Sequence, residues 1–257
     1  MTWGAPVAIV AYRDLQRFWK YRWWVAGLIA MNLADLFVFA LIFRGIVRRE
    51  LVPDYFYFLA PGIASIAAFA AAFTIGREVM MELRRGFHHY LLSLPISRWE
   101  LVIGRVCGGV VRGAIYQFPF LALLFILTGN PGLNLVIAIL ATLMISASMS
   151  SLSIALSTLV KSLEMQATIR SATYFALFFL SNVFYPETVI KQRFPEPLPT
   201  LIENNPVSIA TSIYRLTFTP HIAYELPELE TLLIKLVAWT IALTLLGVIL
   251  YERNLRG

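Results

Sequence analysis

The chain has 257 residues, of which 59% are hydrophobic and 14% charged, with a formal net charge of +6 and a mean hydropathy of +0.72. A soluble domain of this length buries only about 70–75% of its unfolded surface and carries about 25% charged residues, so a water-soluble fold is excluded; a disordered chain is excluded too, because it would be polar and poor in aromatics. The single Cys107 rules out a disulfide-stapled secreted scaffold, and the excess of Lys and Arg is what a multispanning protein carries on its cytoplasmic side, without any nucleic-acid partner.

Residues 5–22 predict a helix lying in the membrane interface. Val7, Ile9, Val10, Leu15, Phe18 and Trp19 share one face, and Arg13, Asp14, Gln16, Arg17 and Lys20 the other. A spanning helix needs about 20 mostly uncharged residues. The first such run is 23–43, which holds one charge, Asp35. The second, 55–75, holds none.

Residues 77–95 predict an amphipathic cytoplasmic helix. Val79, Leu83, Phe87, Tyr90 and Leu94 recur at steps of three and four, with Arg77, Glu78, Glu82, Arg84, Arg85, His88 and His89 between them. Pro95 ends it, since the residue before a proline disfavours helix. Ser97-Arg98-Trp99-Glu100 then fits a capping box that opens the next helix. The third span, 103–127, carries Arg112. The fourth, 133–160, is uncharged and repeats serine at 146, 150, 153 and 157, a small face suited to close packing in lipid. The fifth, 166–185, has a short apolar core entered beside Arg170, which snorkels to the interface; a re-entrant segment is the alternative. Seven of the 13 prolines fall within 186–230, a large loop expected to fold into short helices outside the membrane. The last span is 232–251.

The expectation is therefore six transmembrane helices. Thirteen cations, Arg13, Arg17, Arg84, Arg85 and Lys161 among them, fall on the side of both termini, and six, Arg44, Arg48, Arg49, Lys191, Arg193 and Arg215, on the other. That places both termini in the cytoplasm. Charges near the membrane centre are expected to pair, and an Asp35–Arg112 ion pair between the first and third spans is predicted. No catalytic or metal site is predicted. The three histidines, His88, His89 and His221, lie outside the spans, adjacent helical residues such as His88 and His89 point about 100° apart, and no phosphate-binding Gly-rich loop is present. A gradient-driven secondary transporter or channel is the competing class for a chain of this layout.

Gly86, Leu91, Leu92, Pro95, Ser97, Arg98, Glu100 and Leu101, together with Asn205-Pro206 in the large loop, resemble the permease subunits of type-two ABC exporters. Phe87 and His89 stand where that family often has Thr and Glu. The resemblance implies a permease in the cell membrane that pairs with a second permease subunit, identical or paralogous, and with separate ATP-binding cassette subunits that hold ATP and Mg, leaving no cofactor on this chain. It makes 77–95 the coupling helix, with Phe87, Tyr90, Leu91 and Leu94 touching the ATPase subunit and Arg84, Arg85 and Arg98 as a charged rim.

Overall fold

The computed structural model describes residues 4–47, 52–129, 133–160, 162–220 and 226–256; Arg48, Arg49, Lys161 and His221 lie outside them, as do the side chains of His88 and His89. Among the described residues the chain is all helical. In order it forms α1 (Ala5–Lys20), α2 (Arg22–Ile46), α3 (Tyr55–Phe73), α4 (Ile75–Arg84), α5 (Phe87–Ser93), α6 (Arg98–Thr128), α7 (Leu133–Leu159), α8 (Leu163–Phe179), α9 (Glu187–Arg193), α10 (Leu198–Glu203), α11 (Pro206–Phe218) and α12 (Leu229–Arg256). Five stretches are long and apolar enough to cross a membrane: Arg22–Ile46, Tyr55–Arg84, Arg98–Thr128, Asn134–Leu159 and Leu229–Leu255. The run predicted as a fifth span over 166–185 corresponds to α8, which at 17 residues is shorter than these five.

α3 is the axis of the bundle. Leu59, Ala64, Ala67, Ala68, Phe69 and Ala72 are fully buried on it, with α2, α6, α7 and α11 around it. Its alanines let neighbours approach closely, and small side chains are what holds helices together where lipid competes for apolar surface. The serine face of α7 uses this. Ser153 Oγ donates to the carbonyl of Phe73 and Ser157 Oγ to that of Gly76, the latter at 2.6 Å. Across α7, a Cβ on Gly109 of α6 would sit 2.1 Å from Ser150 Oγ. The predicted use of those serines, close packing, is what the structure shows.

Two ends can be told apart by what caps them. At one, Val10 of α1, Val79 of α4, Leu91 of α5, Leu101 of α6 and Leu255 of α12 form a separate apolar cluster, so the first and last helices of the chain meet there. At the other, the loop after α8 folds into α9–α11. α11 lies inside the bundle against α3, α7 and α12, with Ile209, Ile213, Tyr214 and Phe218 all buried. Asn205 caps it, accepting from the amide of Val207 at 2.9 Å and donating to the carbonyls of Leu177 and Leu180. The expected short helices are therefore present, but the longest of them is core rather than surface.

One predicted helix is two. Gly86 sits at φ 68, ψ 8, in the left-handed region that costs glycine little and other residues more. α4 ends there and α5 starts on a new axis, so the apolar stripe drawn through 77–95 does not continue. Val79 is fully buried on α4, whereas Tyr90 on α5 is 59% exposed. The predicted helix start after Pro95 is present in full: Ser97 Oγ accepts from the Glu100 amide at 3.2 Å while Glu100 Oε2 accepts from the Ser97 amide at 2.8 Å.

Candidate functional site

The α1 end gathers seven charged side chains from three helices. α1 supplies Arg13, Asp14 and Arg17; α4 supplies Glu78 and Glu82; α6 supplies Arg105 and Arg112. Their spacing is helical. Glu78 and Glu82 are four apart and Arg105 and Arg112 seven apart, so each pair lies along one face of its helix. The two faces meet where α4 packs on α6, with α1 laid alongside.

Glu82 is the centre. Its carboxylate accepts from Arg17 Nη1 and Arg105 Nη2 in short contacts and pairs with Arg13 Nη2 at 3.4 Å. Arg13 also reaches Asp14 Oδ1 at 2.9 Å, and Arg105 Nη1 lies 3.7 Å from Asp14 Oδ2. Arg105 is fully buried, its guanidinium 6.0 Å from the ring of Tyr251 on α12. One carboxylate thus ties α1 to α6, and Arg105 carries the contact on to the last helix. Removing two such charges from water costs several kcal/mol each, so the arrangement persists only because every member has opposite charge around it.

Arg112 does not pair with Asp35. Its Nη1 and Nη2 grip Glu78 bidentately at 2.7 and 2.9 Å, Nη2 also donates to the carbonyl of Asp14, and the guanidinium lies over Phe18 at 5.4 Å. The physical reason is depth. α1 and α4 extend along α6 as far as Arg112, and a bidentate carboxylate there is a better partner than one a turn further along on α2. Asp35 is instead half-exposed on α2, close to Tyr116.

The predicted contact residues divide in three. Arg84, Arg85, Tyr90 and Leu94 are exposed on the outer side of the α4–α5 corner. Phe87 and Arg98 are half-buried, Phe87 with Arg13 poised over its ring at 6.0 Å. Leu91 is 6% exposed and belongs to the apolar cluster beneath. The break at Gly86 turns the Leu91 side of α5 toward the bundle, away from the exposed side of the corner. Asp14, Glu78, Glu82 and Arg105 carry the corner and were not singled out from the sequence. The signal available was the pairing of two acidic residues four apart with two arginines seven apart on adjoining segments.

At the opposite end Arg215, also buried, donates to the carbonyls of Phe58 at 3.2 Å, Asn182 at 3.0 Å and Val183 at 3.1 Å, and its guanidinium stacks 3.7 Å from the Phe58 ring. Arg170, predicted to snorkel to the interface, lies instead at the middle of α8 with its guanidinium turned onto α3, donating to the carbonyl of Phe73 at 3.1 Å and lying 5.3 Å from its ring.

Compared with known proteins, residues 6–219 match the family model described as ABC-2 type transporter. No curated protein matches the chain.

Proposed function

Because the chain belongs to the ABC-2 type transporter family, as its membrane-embedded permease component, we propose that it is the spanning subunit of an ATP-driven exporter whose motor is carried by separate subunits. ATP and Mg are held by those subunits. Two permease chains, identical or paralogous, enclose the path between them, and two ATP-binding subunits dock from the cytoplasm on the α4–α5 corner. Six crossings place both chain ends in the cytoplasm of a cell-membrane protein, with α1 lying in the interface.

The observation that carries this reading is the corner itself. Arg84, Arg85, Tyr90 and Leu94 are left uncovered on its outer side. On its inner side Glu78 and Glu82 are fastened to Arg112 and Arg105 of α6. A push on the outer side is therefore delivered to α3, which α4 continues, and to α6 together. Packed bundles of this kind respond by switching between discrete arrangements rather than by deforming gradually.

Two features support the sixth crossing. α8 is about 25 Å long at 1.5 Å per residue; Arg170 at its middle bonds the carbonyl of Phe73, and Leu177 and Leu180 at its far end accept from Asn205. The meeting of Val10 with Leu255 in one cluster also fits an even number of crossings. The basic residues crowd that same end, which is the cytoplasmic pattern.

The test is copurification with an ATP-binding cassette subunit encoded beside this chain. Tyr90→Asp with Leu94→Asp should lower its capture and its stimulated ATPase roughly tenfold or more, as loss of a central apolar anchor does, while the chain still elutes as a single species. Undiminished capture would refute the docking site. Transport down a gradient by the purified chain alone would refute the motor.

A further inference from the structure

Asp35 lies near the middle of α2, 12 residues beyond Trp23. At 1.5 Å per residue that is about 18 Å into a hydrocarbon layer about 30 Å thick. An ionisable group at such depth is costly and is retained for a reason. The structural reason, an ion pair, is absent. Arg112, the cation nearest in depth on α6, is held bidentately by Glu78, and among the described residues Asp35 makes neither an ion pair nor a hydrogen bond.

Its surroundings come from three helices. Asn32, one turn before it on α2, donates from Nδ2 to Tyr116 Oη of α6 at 2.7 Å. Because Tyr116 accepts there, its own hydroxyl hydrogen remains to be donated elsewhere. Asp35 and Tyr174 of α8 both lie within electrostatic reach of that hydroxyl. Tyr174 stacks on Phe69 at 4.6 Å and adjoins Phe73 and Phe178. Tyr116 is buried, while Asn32, Asp35 and Tyr174 are half-exposed. The spot thus brings a carboxylate and an amide beside aromatic rings, with Asn32, Asp35 and Tyr174 part-exposed.

We propose that Asp35, Asn32, Tyr116 and Tyr174 form an intramembrane binding site for a positively charged, largely apolar cargo. An unpaired carboxylate in a poorly hydrated setting attracts a cation strongly and repels an anion. Aromatic faces add attraction to the same charge and accommodate the apolar body around it. A neutral glycan would gain nothing from the carboxylate, and an anionic lipid would be disfavoured by it. Describing the bound cation as cargo rests on the permease reading above.

The experiment uses the full chain in lipid nanodiscs and two probes of matched shape and opposite charge, tetraphenylphosphonium and tetraphenylborate, with empty nanodiscs subtracted. Tetraphenylphosphonium should bind saturably and tetraphenylborate should not. Asp35→Asn should weaken the cation roughly tenfold or more, the loss expected for one close charge in low dielectric. Asp35→Glu should retain binding within a few-fold, and Tyr174→Leu should weaken it by a few-fold. Equal binding of both probes, or cation binding unchanged in Asp35→Asn, overturns the proposal. So does an Asp35→Asn chain that changes oligomeric state while binding the cation as before, since the carboxylate would then belong to a contact between two copies. No ATP-binding subunit enters the assay. Charge-selective binding without a copurifying motor would leave this site standing and remove the motor; the reverse result would remove only the site.

Discussion

At the α1 end of the bundle, Arg105 and Arg112 are buried against carboxylates brought by α4 and α1, whereas at the α11 end Arg215 is buried as deeply against the backbone carbonyls of Phe58, Asn182 and Val183. The partners differ in what they permit. A carbonyl belongs to the main chain, so Arg215 fixes the start of α3 to the turn after α8 through acceptors that cannot swing away as a side chain can. Glu82 is a side chain shared by three guanidinium groups. A rotamer change at Glu82 would give up Arg105 while keeping the contacts it already has with Arg13 and Arg17. The carbonyl-held end is built as an anchor, and the carboxylate-held end as a joint.

Changes at Glu82 should have the largest effect. Glu82→Gln leaves the fully buried Arg105 with Asp14, 3.7 Å away, as its remaining carboxylate, which costs up to about 3–5 kcal/mol. Thermal unfolding in detergent should fall accordingly, and an unchanged midpoint would mean that Arg105 is not held as described. Arg215→Met is next. It strips the donor from three carbonyls, and with partial relaxation costs about 2–3 kcal/mol. The two variants should also differ in kind: Glu82→Gln should alter stimulated ATPase even after stability is restored by lipid, and Arg215→Met should not. Equal loss of coupling in both would dissolve the distinction between joint and anchor.

Gly86→Ala places a Cβ at φ 68, a cost of about 1–2 kcal/mol. It should lower capture of the ATP-binding subunit more than it lowers the unfolding midpoint, because the corner rather than the core is strained.

The smallest effect belongs to the rim of the α11 end. Lys191 Nζ pairs with Glu203 at 3.0 Å and Lys235 joins at 3.4 Å. The hydrogen bond from Lys191 holds the Glu203 carboxyl below its ordinary range, with Lys191 and Lys235 adding their charge. Its folded pKa is depressed, so the contribution is full above the unfolded value of about 4.3 and fades as pH falls through the folded one. Lys191 is half-exposed, which limits the effect to below about 1 kcal/mol. The unfolding midpoint of Glu203→Gln should converge with that of the native chain as the pH is lowered below 4; a constant gap would discount the pair.

Much of the architecture was legible in the residues. The apolar runs gave the long helices, since bilayer thickness and helical rise fix their length. Ser97 and Glu100 gave the start of α6, because a capping box is completed within one turn. The serine repeat gave the close face of α7. The division of 77–95 is written in Gly86, whose tolerance of left-handed backbone competes with an apolar stripe that is continuous in sequence on both sides of it. Asp35 and Arg112 were rightly marked as charges needing an explanation, but depth alone paired them with each other.

The sequence by itself determined what is local: which segments are helical, where lipid can surround them, and where caps and breaks fall. These follow from hydrogen bonds within a turn and from hydrophobicity summed along a run. The tertiary structure alone decided which charge meets which, that Leu91 turns inward, and that α11 enters the core. Electrostatic and packing partners are chosen by distance in space, and Asp14, Glu82 and Arg105 become neighbours only after α1, α4 and α6 have packed.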